Sequence, residues 1–323
     1  MIHSFIFSEG KLVGRDLEPE ALRLVQADKG LIVWVDLENP TDEETKAVLE
    51  VLFQFHPLAI EDCVTPSPLP KIEDYDDYLF MVTHAVEFNR EEKFVTSELD
   101  FFLGKEFLVT FHRSALRSVT TLIDRLAKNV GPGPRGPDRL AHSLLDLMVD
   151  YYSPMLAELH NELEEIEEAV LSKESDKSFV AELLQVRGDF TMLRQIVRPQ
   201  RDVIEKLARG DSKFIRAKLL PYFRDIRDNL ARLDETLIGY HERLLLSFDI
   251  YLNKAGFEAN EGIKFLTALT AVTLPAVLVG GWYGMNFEHM PELRSPHGYV
   301  YACSFTLLST IAMAIYLKKK RWF

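Results

Sequence analysis

The chain has 323 residues, of which 47% are hydrophobic and 27% charged, and 50 Asp and Glu against 37 Lys and Arg give a net charge of −13. Such a chain buries at least one sizeable core, which excludes disorder, a collagen-like repeat and a small disulfide scaffold. The acid excess argues against a nucleic-acid partner, because phosphate neutralisation needs a concentrated basic face and the only such cluster is Lys318, Lys319, Lys320 and Arg321; acidic surfaces suit cations.

Residues 1–10 have no basic start and no apolar run long enough for a signal, so residues 1–260 are expected to stay inside the cell. Residues 31–37 (LIVWVDL) form a short β-branched apolar run that predicts a buried strand. Thr41 to Glu44 spells a capping box, opening a helix with the spacing Val48, Leu52, Phe55. Residues 78–88, then 98–103 and 107–111 around Gly104, Lys105 and Glu106, predict further strands and a hairpin. Cys63 and Cys303 stand alone, outside any disulfide or zinc spacing, and a reducing compartment is the default. An α/β domain over residues 1–140 ends near GPGPRGP at 131–137; this segment lacks the lysine and hydroxyl of a phosphate loop and reads as a linker.

Residues 141–259 turn helical. Leu156, Leu159, Leu163, Ile166 and Val170 share one face, with a run of glutamates elsewhere, and a second long helix runs from about Ser178 to Arg209. Neither needs a chemical role, since acidic helix faces are ordinarily solvated. Phe223, Ile226, Leu230, Leu233, Leu237, Tyr240 and Leu244 then alternate steps of three and four, a heptad seam for packing against other helices. No proline interrupts it between Pro221 and Pro275, so one helix could run on to Tyr283 as a stalk of roughly 90 Å.

From Glu261 onward six basic and three acidic residues give +3, leaving −16 on residues 1–260. Residues 263–283 carry Lys264 as their only charge, residues 299–317 carry none, and aromatic residues flank both. Each approaches the roughly 20 residues a helix needs to cross a bilayer, and two transmembrane helices are predicted over residues 260–323. The basic tail should remain cytoplasmic, with Lys264 snorkelling to the same side, so both termini lie inside and only about 284–298 faces out.

The stepping continues through Asn260, Ile263, Thr267, Thr270, Leu274, Val277, Gly281 and Gly284. Small and polar groups on a membrane helix want a helix partner or water, and plain helix packing accounts for the small ones alone. Two helices cannot enclose a channel, so a pore requires several copies in a ring. At the outer end comes Tyr283-Gly284-Met285-Asn286-Phe287, then Glu288, Met290, Pro291, Glu292 and Leu293. This YGMNFEHMPEL segment resembles the signature of the CorA family of magnesium transport channels, in its MPEL-loop branch. HPLAIEDC near 60, LLDLMVD near 146 and PYFRD near 223 extend the resemblance over most of the chain.

The resemblance implies an α+β membrane protein: a cytoplasmic α/β domain, a helical stalk continuous with the first membrane helix, and a homopentameric funnel in the inner (plasma) membrane. It implies uptake of Mg²⁺, with Co²⁺ and Ni²⁺ as companions and no organic cofactor. Gly284, Met285 and Asn286 fall at the selectivity filter. Mg²⁺ dehydrates reluctantly, and a ring of Asn286 carboxamides can accept hydrogen bonds from the ion's own waters without the trap a carboxylate ring would form. Glu288 and Glu292 add negative potential at the mouth, although an ordinary exposed loop would carry them too. The resemblance further implies a second polar ring at Asn260 and an apolar gate at Ile263, Leu266 and Leu274. Ile263 and Leu274 stand where some relatives carry methionine, which keeps the gate apolar but stiffens it. Regulatory Mg²⁺ is implied between cytoplasmic domains of adjacent subunits, at Asp62 and Asp225, with Glu61 and Asp146 at a neighbouring site. Carboxylates facing across an interface repel unless a cation bridges them, so loss of the ion would loosen the ring.

A zinc-transporting branch of the same superfamily is the nearest rival; the pore stripe has no His or Cys ligand set, which disfavours a soft-metal site. A membrane-tethered coiled-coil scaffold is a second alternative. An enzyme is not expected, since HExxH, GxSxG and GxxxxGK[ST] are absent and the nine histidines are scattered.

Overall fold

The computed structural model describes every residue except 27, 29, 90–92, 129–132, 173–177, 288, 289, 292–294, 321 and 323. Its β-branched and aromatic runs make one seven-stranded sheet: β1 (Ile2–Ser8), β2 (Lys11–Arg15), β3 (Leu31–Glu38), β4 (Lys71–Asp74), β5 (Tyr78–Asn89), β6 (Lys93–Gly104) and β7 (Phe107–His112), in the order β2-β1-β3-β7-β6-β5-β4. Neighbours are antiparallel except β3 and β7, whose parallel register sets Asp36 opposite Thr110. Strand β3 buries side chains on both faces, Val33, Val35 and Leu37 on one and Trp34 and Asp36 on the other, because both are covered. Val33, Val35 and Leu37 pack with Phe80, Phe102 and Val109 against α1 (Pro19–Gln26), a π-helical stretch Lys46–Leu52, and α3 (Pro57–Val64).

The Thr41 capping box is formed, with Glu44 N–H donating to Thr41 Oγ1 at 3.2 Å and Thr41 N–H to Glu44 Oε2 at 2.9 Å. It opens α2 (Asp42–Thr45), which passes at once into the π-helical stretch. Phe55 lies beyond the end of that helix and stacks on Phe102 in the core.

The opposite face of the sheet is covered by α5 (Pro137–Asp150), α6 (Tyr152–Leu171) and α7 (Ser178–Arg209), with α5 crossing β3, β5, β6 and β7 and α4 (Arg117–Ala127) packed on α5. In α6 the buried stripe is Tyr152, Met155, Leu159, Leu163, Ile166 and Val170, with Met155 taking the place expected of Leu156, which is half-buried. Strand β4 ends at Lys71, opposite Val82, so the backbone of His84 loses its neighbour on that side. Gln200 on α7 and Tyr152 on α6 replace it: His84 N–H donates to Gln200 Oε1 at 2.9 Å, Tyr152 Oη–H donates to the His84 carbonyl, and Gln200 Nε2 donates to Tyr152 Oη at 2.9 Å. Buried backbone groups are thereby satisfied where the sheet runs out.

The chain forms two compact units, Met1–Leu246 and Ser247–Phe323. The described part of the Gly/Pro loop, residues 133–137, belongs inside the first, where it packs against Gly10 instead of trailing as a spacer. Helix α8 (Leu220–Tyr283) supplies residues to both units and contains Pro275 without ending there. Its heptad positions Phe223, Ile226, Leu230, Leu237 and Leu244 are buried within the first unit, where Tyr240 stacks on His160 of α6. Helix α9 (Gly298–Lys319) follows. Helices α8 and α9 each hold a stretch long and apolar enough to cross a membrane, and 6% of each stretch is buried within the chain.

Candidate functional site

In the second unit, Ile263, Leu266, Leu274 and Val277 are 45–66% exposed, and Asn260, Thr267, Thr270 and Gly281 are exposed with them. One chain therefore leaves this stripe uncovered. Thr267 Oγ1 donates to the Ile263 carbonyl at 2.8 Å and Thr270 Oγ1 to the Leu266 carbonyl at 2.9 Å. Each hydroxyl hydrogen is thus satisfied by its own helix, while the oxygen keeps acceptor capacity. Lys264 pairs with Glu261 one turn back.

Helix α8 stops at the motif. Gly284 N–H donates to the Gly280 carbonyl at 2.9 Å, and a Cβ on Gly284 would meet that same oxygen at 2.9 Å, so a side chain there would disturb the closing turn. Met285 N–H reaches Trp282 at 3.4 Å, and Asn286 follows in exposed, non-helical backbone. Glu288 and Glu292 lie outside the described residues, as do Arg321 of the basic tail and Phe323.

The predicted regulatory carboxylates fall into two groups. Asp146 on α5 and Asp225 on α8 come together. Burial, and after it the Asp225 carboxylate, pushes Asp146 above the usual carboxylate range, while Arg139 and Arg125 oppose the shift. Asp150, one turn further along α5, is raised first by burial and then by Asp146. It was absent from the sequence-based set, although its i+4 spacing from Asp146 in LLDLMVD marks it. The second group is Glu61 and Asp62 on α3, where Asp62 is paired with Lys71 of β4; Lys71 Nζ is also 3.4 Å from Glu73 Oε1. No α3 carboxylate acts on Asp146 or Asp150. Among the described residues of one chain, no three His, Cys, Asp or Glu side chains are arranged to hold a metal ion. Neither group by itself reaches three ligands within one chain.

The family model of the CorA-like Mg²⁺ transporter protein matches residues 29–319. The chain is 33% identical to the "Putative metal ion transporter YfjQ" of Bacillus subtilis over 290 residues, covering 90% of this chain and 89% of that protein. It is 28% identical to the "Cobalt/magnesium transport protein CorA" of Thermotoga maritima, covering 91% of this chain and 84% of the relative. Its fold matches the complete structure of the CorA magnesium transporter from Methanocaldococcus jannaschii with a TM-score of 0.84 at 20% identity, over 99% of this chain and 98% of that one. The chain therefore belongs to the CorA-like Mg²⁺ transporter family, a family of membrane transporters of divalent cations rather than enzymes.

Proposed function

We propose that a ring of these chains, five in number, carries hydrated Mg²⁺, and with it Co²⁺ and Ni²⁺, into the cell across the inner (plasma) membrane, with both termini cytoplasmic. The observation that carries this reading is that one unbroken helix, α8, bears Asp225 near its start and passes directly at its end into Gly284-Met285-Asn286. The exposed stripe on that helix needs either neighbouring copies or water, and a ring supplies both. A hydrated cation presents only donors to its surroundings. Thr267 and Thr270, with their hydrogens already given to the helix, and Asn286, with its carboxamide oxygen, present acceptors. Asn260, Ile263, Leu266, Leu274 and Val277 then form the inner polar ring and the apolar constriction, and Gly281 and Gly284 allow close approach of backbones. Glu288 and Glu292 attract cations to the mouth.

For the regulatory ion, the two carboxylate groups fit a shared site: Glu61 and Asp62 of one subunit with Asp146 and Asp225 of the next, Asp150 adding to the field. Bound there, Mg²⁺ supplies the charge that lets two acidic surfaces lie together.

Flux of Mg²⁺, Co²⁺, Ni²⁺ and Zn²⁺ into liposomes holding the full-length protein tests the reading. Mg²⁺ should pass, and more readily than Zn²⁺. Passage of none would leave a scaffold without transport, and a preference for Zn²⁺ would assign the zinc-transporting branch.

A further inference from the structure

Residues 1–260 are strongly acidic, so a place in the first unit where four basic side chains converge calls for a cause. Arg135, Arg139, Arg216 and Lys218, together with Gly133 and Tyr222, line a cavity of about 370 Å³, within the range of small-molecule sites. One of the four charges is neutralised internally. Arg216 Nε donates to Asp138 Oδ2 at 2.7 Å, its Nη2 pairs with Oδ1, and Asp138 is 1% exposed. Arg135, Arg139 and Lys218 make no ion pair among the described residues. Three positive charges are left facing one opening.

The frame around them is built. At Gly133 a Cβ would sit 1.6 Å from the Gly10 carbonyl oxygen, so that position admits no side chain, and at Gly136 one would sit 2.1 Å from Arg216 Nη2 and displace the guanidinium. Arg216 N–H also donates to Asp138 Oδ2 at 3.0 Å, and its Nη1 donates to the Arg135 carbonyl. One guanidinium thus ties the Gly/Pro loop, the start of α5 and the 3₁₀ turn Ala217–Leu219 together. Arg139 lies 4.9 Å over the ring of the half-exposed Tyr222, which holds its planar fork in place. Helix α5 starts beside the cavity with no side-chain cap on Gly136, adding the positive end of its dipole.

We propose that this cavity binds a phosphorylated anion of the polyphosphate class. A single carboxylate would leave two of the three charges uncompensated, whereas linked phosphates match both the charge and the fork geometry of arginine, with lysine as a point charge. GPGPRGP lacks the residues of a nucleotide phosphate loop, but its Gly133 and Arg135 line the cavity, and the other cations come from α5 and the residues before α8. Arg139 links this cavity to the acidic cluster, because it stands on α5 about two helical turns before Asp146, on the same side of the helix. An anion here cancels part of the positive field of Arg139 and so strengthens divalent-cation binding at Asp146 and Asp225. That last consequence rests on the sensor reading above; the anion site does not.

Calorimetric titration of the full-length protein in detergent with pyrophosphate, in metal-free buffer, tests the site, with sulfate and acetate as controls. Pyrophosphate should bind about tenfold more tightly than sulfate and weaken as salt is raised. The double variant Arg135→Gln/Lys218→Gln removes two exposed side chains, so it should keep its unfolding temperature and lose about tenfold or more in affinity. Absence of pyrophosphate binding, or equal binding by the variant, overturns the proposal. A variant whose only change is in subunit assembly also overturns it, by assigning these cations to contacts between copies. Repeating the titration in phosphatidylcholine nanodiscs with and without phosphatidylglycerol identifies the source: competition by the anionic lipid assigns the site to a headgroup phosphate, and its absence assigns the site to a soluble polyphosphate. In either case, tighter Mg²⁺ binding with the cavity filled tests the coupling to Asp146 separately.

Discussion

Lys71 and Asp62 form an ion pair within one chain, β4 reaching back to α3 across nine residues. Asp62 thus already has a counterion, and a divalent cation that uses its carboxylate competes with a tethered ammonium. Both side chains are about one third exposed, so water screens the pair and its worth is at most about 1 kcal/mol. Lys71→Gln should therefore shift inhibition of the current by internal Mg²⁺ to lower concentration, by about two- to fivefold. Patch recordings over a range of internal Mg²⁺ measure this, and an unchanged curve would remove Lys71 from the sensor.

The two carboxylate groups make a complementary test. Asp146 and Asp225 already repel within one chain, and the shared cation proposed above would relieve charge on both sides. Replacing Asp62 and Asp225 together by Asn removes the need for that cation and its binding together. Current at high internal Mg²⁺ should rise. If inhibition in the same recordings is unaltered, these residues are not the sensor.

Asn286 follows the end of α8 directly and has an exposed carboxamide. Asn286→Ala deletes the acceptor without touching the closing hydrogen bond of Gly284 at 2.9 Å. Mg²⁺ uptake should be abolished while the mass of the assembled complex is unchanged. Normal flux in the variant would refute the carboxamide ring.

The elements that were legible in the sequence are those whose period is long or whose caps are local. The heptad from Phe223 to Leu244 and the apolar run 263–283, with Lys264 as its only charge, announce α8 because apolar spacing alone specifies a long helix. Thr41 and Glu44 announce their own capping box. The π-helical register at Lys46–Leu52 was not legible, since Val48 and Leu52 satisfy ordinary helical spacing equally well. Met155 in place of Leu156 shows the same limit: neighbouring apolar residues leave the stripe's phase open until the partner helix is known. The Lys71–Asp62 and Arg216–Asp138 pairs join residues 9 and 78 positions apart, and no local pattern encodes them. The family resemblance supplied Asp62, Asp146 and Asp225, but the cations beside them came only from the fold.

Gln200 is fully buried and bonds both His84 N–H and Tyr152 Oη, where the sheet has no strand to continue it. Gln200→Leu keeps the bulk but leaves a buried backbone donor without a partner, at a cost of about 2 kcal/mol. Chemical unfolding of the full-length protein should show a lower midpoint, with ion selectivity intact. An unchanged midpoint would mean that water replaces the carboxamide.

His142 on α5 is 5% exposed, lies edge-on to Tyr222 and Phe223, and leaves Nδ1 without a hydrogen-bond partner. Burial first, and then the Arg139 guanidinium, lowers its pKa from 6.5 to about 4, against the smaller opposing effects of the Tyr222 backbone, Asp225 and Asp138. The folded chain therefore holds this ring neutral where the unfolded chain binds a proton. The contribution to stability is full above about pH 6.5, is lost as the pH falls toward 4, and amounts to about 3 kcal/mol at about 1.4 kcal/mol per pH unit. The unfolding temperature of the full-length protein should fall over that window more steeply than that of His142→Gln, which has no ring to protonate. A difference between the two proteins that stays constant from pH 7 to pH 4.5 would show that His142 does not titrate between the folded and unfolded states.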